Sequence, residues 1–523
     1  MELKVFENGT FISCKDNNRI FSLMVEDKGK IVFTGNTLPE SYTLVKERID
    51  LQGHCVLPAF VDTHMHFASF SLFEFGLNVR YARDFNEMGT VIRTYGDNHP
   101  KEKLLFGFGS SAHTVTEGRL VERADLDKMT SRPLIIEKYD GHAAVANSAL
   151  IALFPKEVLN DPGFDEKTGW MYMQAHYQGI NHVTHLMNPL SMVASMIKSS
   201  DMLARYGVQM VHSAEGNGFP KDADFDLMMK MGKVLPQAFR LFFQTMEVRK
   251  VIKRKLPRIG GCFVTALDGC FGSEDAALTR AYTNNPDNMG ILVYTQEQVN
   301  DFVIKANRKG IQVALHAIGD AAVEQAIKAY EVALKDCPRD DHRHIIIHAD
   351  LIAPDLIARA QNLNLYMAVQ PGFLHWREEP MEYIDRILGE RANQLMPFKD
   401  MIDAGLVVAA GSDAPCTNPN PIEGIWAACN HPNEAQRVSV LNALKMYTNW
   451  GARLSFDEDK LGTLTNGKLA NMVVLDRNPL VVPIDTLKDL KVTDMYLKGR
   501  RYEGQSSNTL AVLLKSLVSR ETC

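Results

Sequence analysis

The sequence predicts an α/β chain: a parallel barrel of βα units with a small β-rich unit assembled from both chain ends. Three observations carry this expectation. The first 55 residues hold short β-like runs, "LKVFENGTFIS" and "FSLMVEDKGKIVFTG", broken by Gly and Asn and without a long helical period. The same texture returns in "KLANMVVLD" and "VTDMYLKGRRYEG". Between them, apolar strand-like runs alternate with segments of helical period, as in "VNDFVIKANRKG" followed by "IQVALHAIGD".

Residues 1–55 together with 456–505 are therefore assigned to one small β-domain, and 56–455 to the barrel. The end of the chain, 506–523, "SSNTLAVLLKSLVSRETC", reads as a short amphipathic helical tail. Within the middle, nine apolar runs are candidate strands. They end at Asp62 to His66, in "PLIIEKYDGH", "VQMVHSAEG", "FRLFFQTM", "CFVTALDG", "VALHAIGD", "HIIIHAD" and "LYMAVQP", and in "LVVAAGSD". A closed barrel of this type takes eight strands, so at least one run belongs elsewhere.

Composition narrows the function. The chain has 523 residues, 46% hydrophobic and 23% charged, which is ordinary globular material. A formal net charge of -6 gives no basic field for phosphates, so nucleic acid is not an expected partner. There is no basic leader followed by an apolar stretch and no run of about 18 apolar residues, so the chain reads as cytosolic, without a membrane span. Eight scattered cysteines without CxxC pairs suit reduced thiols better than a disulfide framework. The partner expected is a small molecule, and a homodimer is one compatible assembly.

The chemistry lies at the strand ends. In a parallel barrel the functional side chains come from the C-terminal ends of the strands. His64 and His66 stand at i and i+2, so on an extended strand both imidazoles point to the same face and can share a cation. His316 ends "IQVALHAIGD", His348 ends "HIIIHAD" and Asp413 ends "VVAAGSD". A lone His-x-His is weak evidence, and a strand-end Asp is often only the cap of the next helix. Five ligand-type residues at successive strand ends point instead to one metal site.

These residues sit in stretches that resemble the amidohydrolase superfamily, in its amidohydrolase-3 branch of deformylase- and amidase-like proteins. The matching stretches are "IDLQGHCVLPAFVDTHMHF" (49–67), "DGHAAVANSAL" (140–150), "LDGCFGS" (267–273), "GIQVALHAIGD" (310–320), "HIIIHAD" (344–350), "GSDAPC" (411–416) and "GTLTNGKLANMVVLD" (462–476). The resemblance implies a distorted (β/α)8 TIM barrel with a small β-sandwich formed by both termini. It further implies a metal-dependent hydrolase in which His64, His66, His316 and Asp413 are metal ligands. Asp413 and His348 are then the catalytic pair, with Asp413 moving the proton of the attacking water and His348 serving as an oxyanion donor or second-site ligand. His142 matches a family position facing the pocket, and His212 with Glu215 ends another strand that lines it.

Departures from the family pattern matter as much. The family's lysine, four residues before the Asp-Gly of "CFVTALDG", is replaced by Val264, which cannot bridge two metals. Unless Glu137, Glu215, Glu247, Cys262 or Cys270 substitutes, one divalent cation per chain is expected: zinc, manganese or iron. Met173 stands where a glutamate is common, while Ala59 and Asn471 are structural replacements. His182 and His185, with His176 nearby, read as surface or lid residues rather than a separate metal site. The expected reaction is attack of an activated water on an amide or cyclic amide carbonyl. Ring opening of a cyclic 1,3-dicarbonyl and deamination are the alternatives, and outside catalysis a silent metabolite-binding relative.

Overall fold

A computed structural model describes residues 3–42, 44–186, 189–216, 222–505 and 508–519. Eight parallel strands form one curved sheet in chain order. They are β1 (Phe60–Met65), β2 (Val208–Glu215), β3 (Ala238–Phe243), β4 (Arg258–Ala266), β5 (Gln312–Ala317), β6 (Ile345–His348), β7 (Tyr366–Val369) and β8 (Val407–Ala410). Runs such as "IIIH" and "VVAA" are apolar on both faces because one face fills the barrel and the other meets the helices. Ile346, Val313 and Val408 are fully buried.

The barrel closes at its mouth through the "GSD" turn after β8. Asp413 N–H donates to the His64 carbonyl at 2.7 Å, and His66 N–H donates to the Ala414 carbonyl at 2.8 Å. Asp62 clamps the same turn, accepting from Ser412 N–H at 3.0 Å and Ser412 Oγ at 2.6 Å. Gly411 is required here, since a Cβ would come within 2.4 Å of the His64 nitrogen. Each residue of the motif thus has a job: the glycine allows close approach, the serine locks β8 to β1, and the aspartate enters the mouth.

One of the nine candidate runs lies outside the barrel. Leu134–Lys138 belongs to a separate five-stranded sheet built from residues 77–172. It runs parallel to Leu105–Ser110 but antiparallel to Ala143–Ala146, which follows at once through the turn at Asp140-Gly141. A barrel strand must be followed by a crossover, whereas this one is followed by a hairpin, with Gly141 at φ 74. The insertion matters because its turn carries Asp140 and His142 to the barrel mouth.

Both ends of the chain meet in a six-stranded sheet. Cys55–Pro58 pairs with Met472–Leu475 on one side and Thr10–Ile12 on the other. A four-stranded sheet from residues 3–50 shares an apolar cluster with it, in which Phe6 and Met24 pack with Phe11, Val56, Met472 and Tyr496. The pairing extends to Pro58, three residues beyond the boundary expected from the sequence. Within the tail, Thr509–Val518 is helical, capped by Asn508; 506–507 and 520–523 lie outside the described residues. No described helix is long and apolar enough to cross a membrane.

Candidate metal centre

His64 and His66 leave β1 on the same side, with ring centroids 5.2 Å apart. His66 Nδ1 lies 3.1 Å from the Ala214 carbonyl, which fixes its proton there and turns Nε2 inward, 3.3 Å from Asp413 Oδ1. His64 Nε2 lies 3.1 Å from the same carboxylate oxygen and 3.1 Å from Cys262 Sγ. Across the barrel, His316 Nδ1 is 3.3 Å and His348 Nε2 is 3.5 Å from that sulfur. Cys262 therefore stands at the centre of the histidines the sequence singled out.

Its position comes from an interruption in β4. Gly260 and Gly261 have φ values of 110 and 129, and the ladder to β5 shifts register between Gly261 and Ala266. Only glycine fits at 260, where a Cβ would lie 1.9 Å from the Ala314 carbonyl. Cys262 N–H leaves the ladder to donate to Gln244 Oε1 at 2.9 Å, and its thiol turns inward. Val264 takes no part; its carbonyl accepts from Tyr294 at 2.6 Å.

The rings are oriented as metal ligands usually are. His348 Nδ1 is 2.7 Å from Gln370 Oε1, and Gln370 Nε2 donates to the Ala368 carbonyl at 3.1 Å. This assigns the proton to Nδ1 and leaves Nε2 as a lone pair facing the centre. His316 presents Nδ1 instead, because Nε2 lies 3.1 Å from the Gly269 carbonyl and 3.5 Å from Asp268 Oδ1. Asp268 is itself held by the N–H groups of Ala277, Ile318 and Gly319.

Electrostatics agree with a cation. Burial holds His64 and His316 below their ordinary pKa and pushes His348 down to about 3, so these rings are neutral. Burial alone would raise Asp413, but His64 and His66 outweigh it and keep the carboxyl ionised. Asp413 Oδ1 is buried without a well-formed hydrogen bond, 3.1 Å from His64 Nε2 and 3.3 Å from His66 Nε2, and against the burial of the His66 ring it raises that ring's pKa. Burial pushes the Cys262 thiol up, and a cation would reverse that. A carboxylate, a thiol and imidazoles converging this closely are a donor set that a divalent cation satisfies.

A small cavity of about 40 Å³ adjoins the cluster, room for a few water molecules. His142 lines it, its ring 6.3 Å from that of His316. His212 does not. It is buried in the barrel interior beside Phe242, where burial together with Arg258 pushes its pKa down to about 3. It lies within β2, three residues before the strand ends at Glu215, too far back to reach the mouth. Glu215 also misses this cavity and lines a second one behind His66, accepting from Ser213 Oγ at 2.6 Å and Ala68 N–H at 3.0 Å.

Of the other substitutes considered for the lysine, Glu137 is paired with His176 at 3.3 Å, and Glu247 is an exposed partner of Lys250. Cys270 sits beside Asp140 rather than Cys262. Met173 is exposed, outside the cavity. His182 packs near Phe154 and His185 is exposed on its helix, so with His176 they form no ligand group. Asn471 ties Gln209 to the backbone of Lys498, and Ala59 is buried. Sequence reasoning missed Gln370, Asp350 and Glu379 as parts of the site; the last two line the cavity.

Comparison with known proteins agrees with this geometry. The chain is 26% identical over 534 residues to "Putative amidohydrolase YtcJ" of Bacillus subtilis (strain 168), covering 95% of this chain and 99% of that protein. It is 25% identical to the N-substituted formamide deformylase of Arthrobacter pascens, covering 88% and 91%. A solved structure of an uncharacterized metal-dependent hydrolase from Pyrococcus horikoshii OT3 superposes with a TM-score of 0.75 at 26% identity, covering 92% of this chain and 99% of that one. The amidohydrolase family profile itself matches residues 47–163 and 201–502, spanning β1 and its histidines, β4 with Cys262, and the "GSD" turn that closes the mouth. With the profile spanning most of the chain on a matching eight-stranded barrel, this chain belongs to the amidohydrolase family and is a metal-dependent hydrolase.

Proposed function

We propose that the chain hydrolyses the amide C–N bond of a small N-acylated substrate at a site whose residues would hold two divalent cations, with Cys262 placed between the two ligand groups. The observation that carries this reading is the central position of Cys262, within 3.1 to 3.5 Å of His64, His316 and His348. His64, His66 and Asp413 would hold one cation; His316 and His348 would hold the other. The sequence favours a single cation unless a residue such as Cys262 takes the place of the lysine missing at Val264, and the central position of Cys262 supports that substitution.

Divalent cations held here would lower the pKa of a water toward about 7 and polarise a carbonyl oxygen. Asp413 is the base. Kept ionised by His64 and His66, it takes the proton released as the water oxygen bonds to the carbonyl carbon, then passes it to the departing nitrogen. His142, on the opposite wall, contacts the substrate. His348 is a ligand in this reading rather than an oxyanion donor, since its free Nε2 faces Cys262. The small cavity and the formamide deformylase relative together favour a short acyl group.

A metal-reconstituted activity screen across formamides, cyclic amides, aminopyrimidines and cyclic diketones tests the reaction. Turnover of N-acyl substrates supports it. Turnover confined to the aminopyrimidines or diketones replaces it with deamination or C–C hydrolysis. A purified protein with less than about 0.2 metal per chain, unchanged in His64→Ala, would remove the enzymatic reading altogether.

A further inference from the structure

The cavity has a second polar wall that the hydrolytic chemistry does not use. Asp350 follows β6, two residues beyond His348, and its side chain lines the cavity. Only 2% of it is exposed, yet Oδ1 has no hydrogen-bond partner. His348 and Ala349 both adopt left-handed backbone, φ 72 and 53, which turns the chain so that the histidine and the aspartate both reach the cavity. Glu379, also buried in this lining, accepts from Tyr139 at 3.1 Å.

A third carboxylate nearby is already neutralised. Asp140 receives Lys138 Nζ at 2.6 Å, and the same ammonium donates to Ser273 Oγ at 2.7 Å. Asp140, Cys270 and Glu379 come close enough together to suggest another metal group, but the lysine supplies positive charge there in place of an ion. Glu379 feels that ammonium at longer range, whereas among the described residues no basic side chain is ion-paired with Asp350. Beside them Phe373 and Trp376 stack at 4.8 Å, with Tyr139 edge-on to Trp376 at 5.1 Å. Buried carboxyls against aromatic rings favour an organic cation over a neutral or anionic group.

We infer that Asp350 and Glu379, with the Phe373–Trp376 wall, form a subsite for a protonated nitrogen, so that the substrate carries an ammonium, amidinium or guanidinium group close to its scissile bond. The assignment of this ligand as substrate rests on the proposed hydrolysis, but the subsite itself is a binding claim that needs no turnover. Metal content and activity test the first; cation binding tests the second.

The probe is methylguanidinium, which is charged at all accessible pH values and is a poor metal ligand, set against its neutral analogue methylurea. Binding to the zinc-loaded protein is measured by calorimetry. Methylguanidinium is expected to bind about tenfold or more tightly than methylurea, and Asp350→Asn or Glu379→Gln to weaken it about tenfold with zinc content unchanged. Methylurea binding as well as methylguanidinium would overturn the subsite. So would wild-type affinity in both variants, or a zinc equivalent lost in Glu379→Gln, which would make the carboxyls metal ligands. If Asp350→Asn fails to fold, the comparison of the two probes on the unaltered protein and the Glu379→Gln result still decide.

Discussion

Cys262 Sγ lies 3.1 Å from His64 Nε2, joining β4 to β1 across the barrel mouth. The sulfur also approaches both histidines of the opposite side, so its removal affects two cation positions at once. Cys262→Ala is expected to lower the metal content from about two per chain to one or fewer, read by elemental analysis after dialysis. Two equivalents retained in the variant would show that the thiol is only a neighbour of the metals.

Asp413 has a separable role. Asp413→Asn keeps the shape and the backbone hydrogen bond to the His64 carbonyl but loses the base. Turnover is expected to fall by about 10³-fold while the circular dichroism spectrum and unfolding midpoint stay near those of the parent. A rate within a few-fold of the parent would refute the assignment.

Gln370 acts through His348. Its carbonyl oxygen fixes the Nδ1 proton, so Gln370→Leu frees the ring to rotate and is expected to weaken metal retention by roughly 10- to 100-fold. Gln370→Glu keeps an acceptor at the same place and should retain the metal. Competition with a chelator measures both, and equal behaviour of Leu and Glu would reduce Gln370 to packing.

The site was legible in the sequence where chemistry falls at the end of a regular strand. His64, His66, His316, His348 and Asp413 were found because uninterrupted apolar runs deliver them to one mouth. Cys262 entered only as one of five possible substitutes for the lysine, because counting back to Val264 assumes an unbroken strand, and the bulge at Gly260-Gly261 changes which side chain faces inward. Paired glycines inside "RIGGCFVTA" were the available warning. The stray ninth strand was indistinguishable by composition, yet "YDGH" after it already carried a hairpin signal. His212 misled for the converse reason: alternation places it inside the barrel, but not at the open end. Asp350 and Glu379 left no periodic trace, since each is a single polar residue in a loop.

Away from the metal centre, His431 ties a loop to the barrel and makes stability depend on pH. Its Nε2 lies 3.2 Å from the Leu395 carbonyl, and Nδ1 accepts from Asn433 N–H at 3.0 Å, an arrangement only the neutral ring can make. Burial pushes its pKa down to about 4. In the unfolded chain the ring titrates near its ordinary value of about 6.5. Between those values the unfolded chain takes up a proton that the folded chain refuses, so the contribution is complete above about pH 6.5 and is lost as the pH falls toward 4. The loss amounts to as much as about 3 kcal/mol. His431→Gln has no such proton to take up. The parent is therefore expected to be the more stable of the two at about pH 7.5 and to lose most of that advantage by about pH 4.5, read from urea unfolding midpoints. A difference between the two proteins that stays constant across this range would show that the ring is protonated, or free to become so, in the folded state.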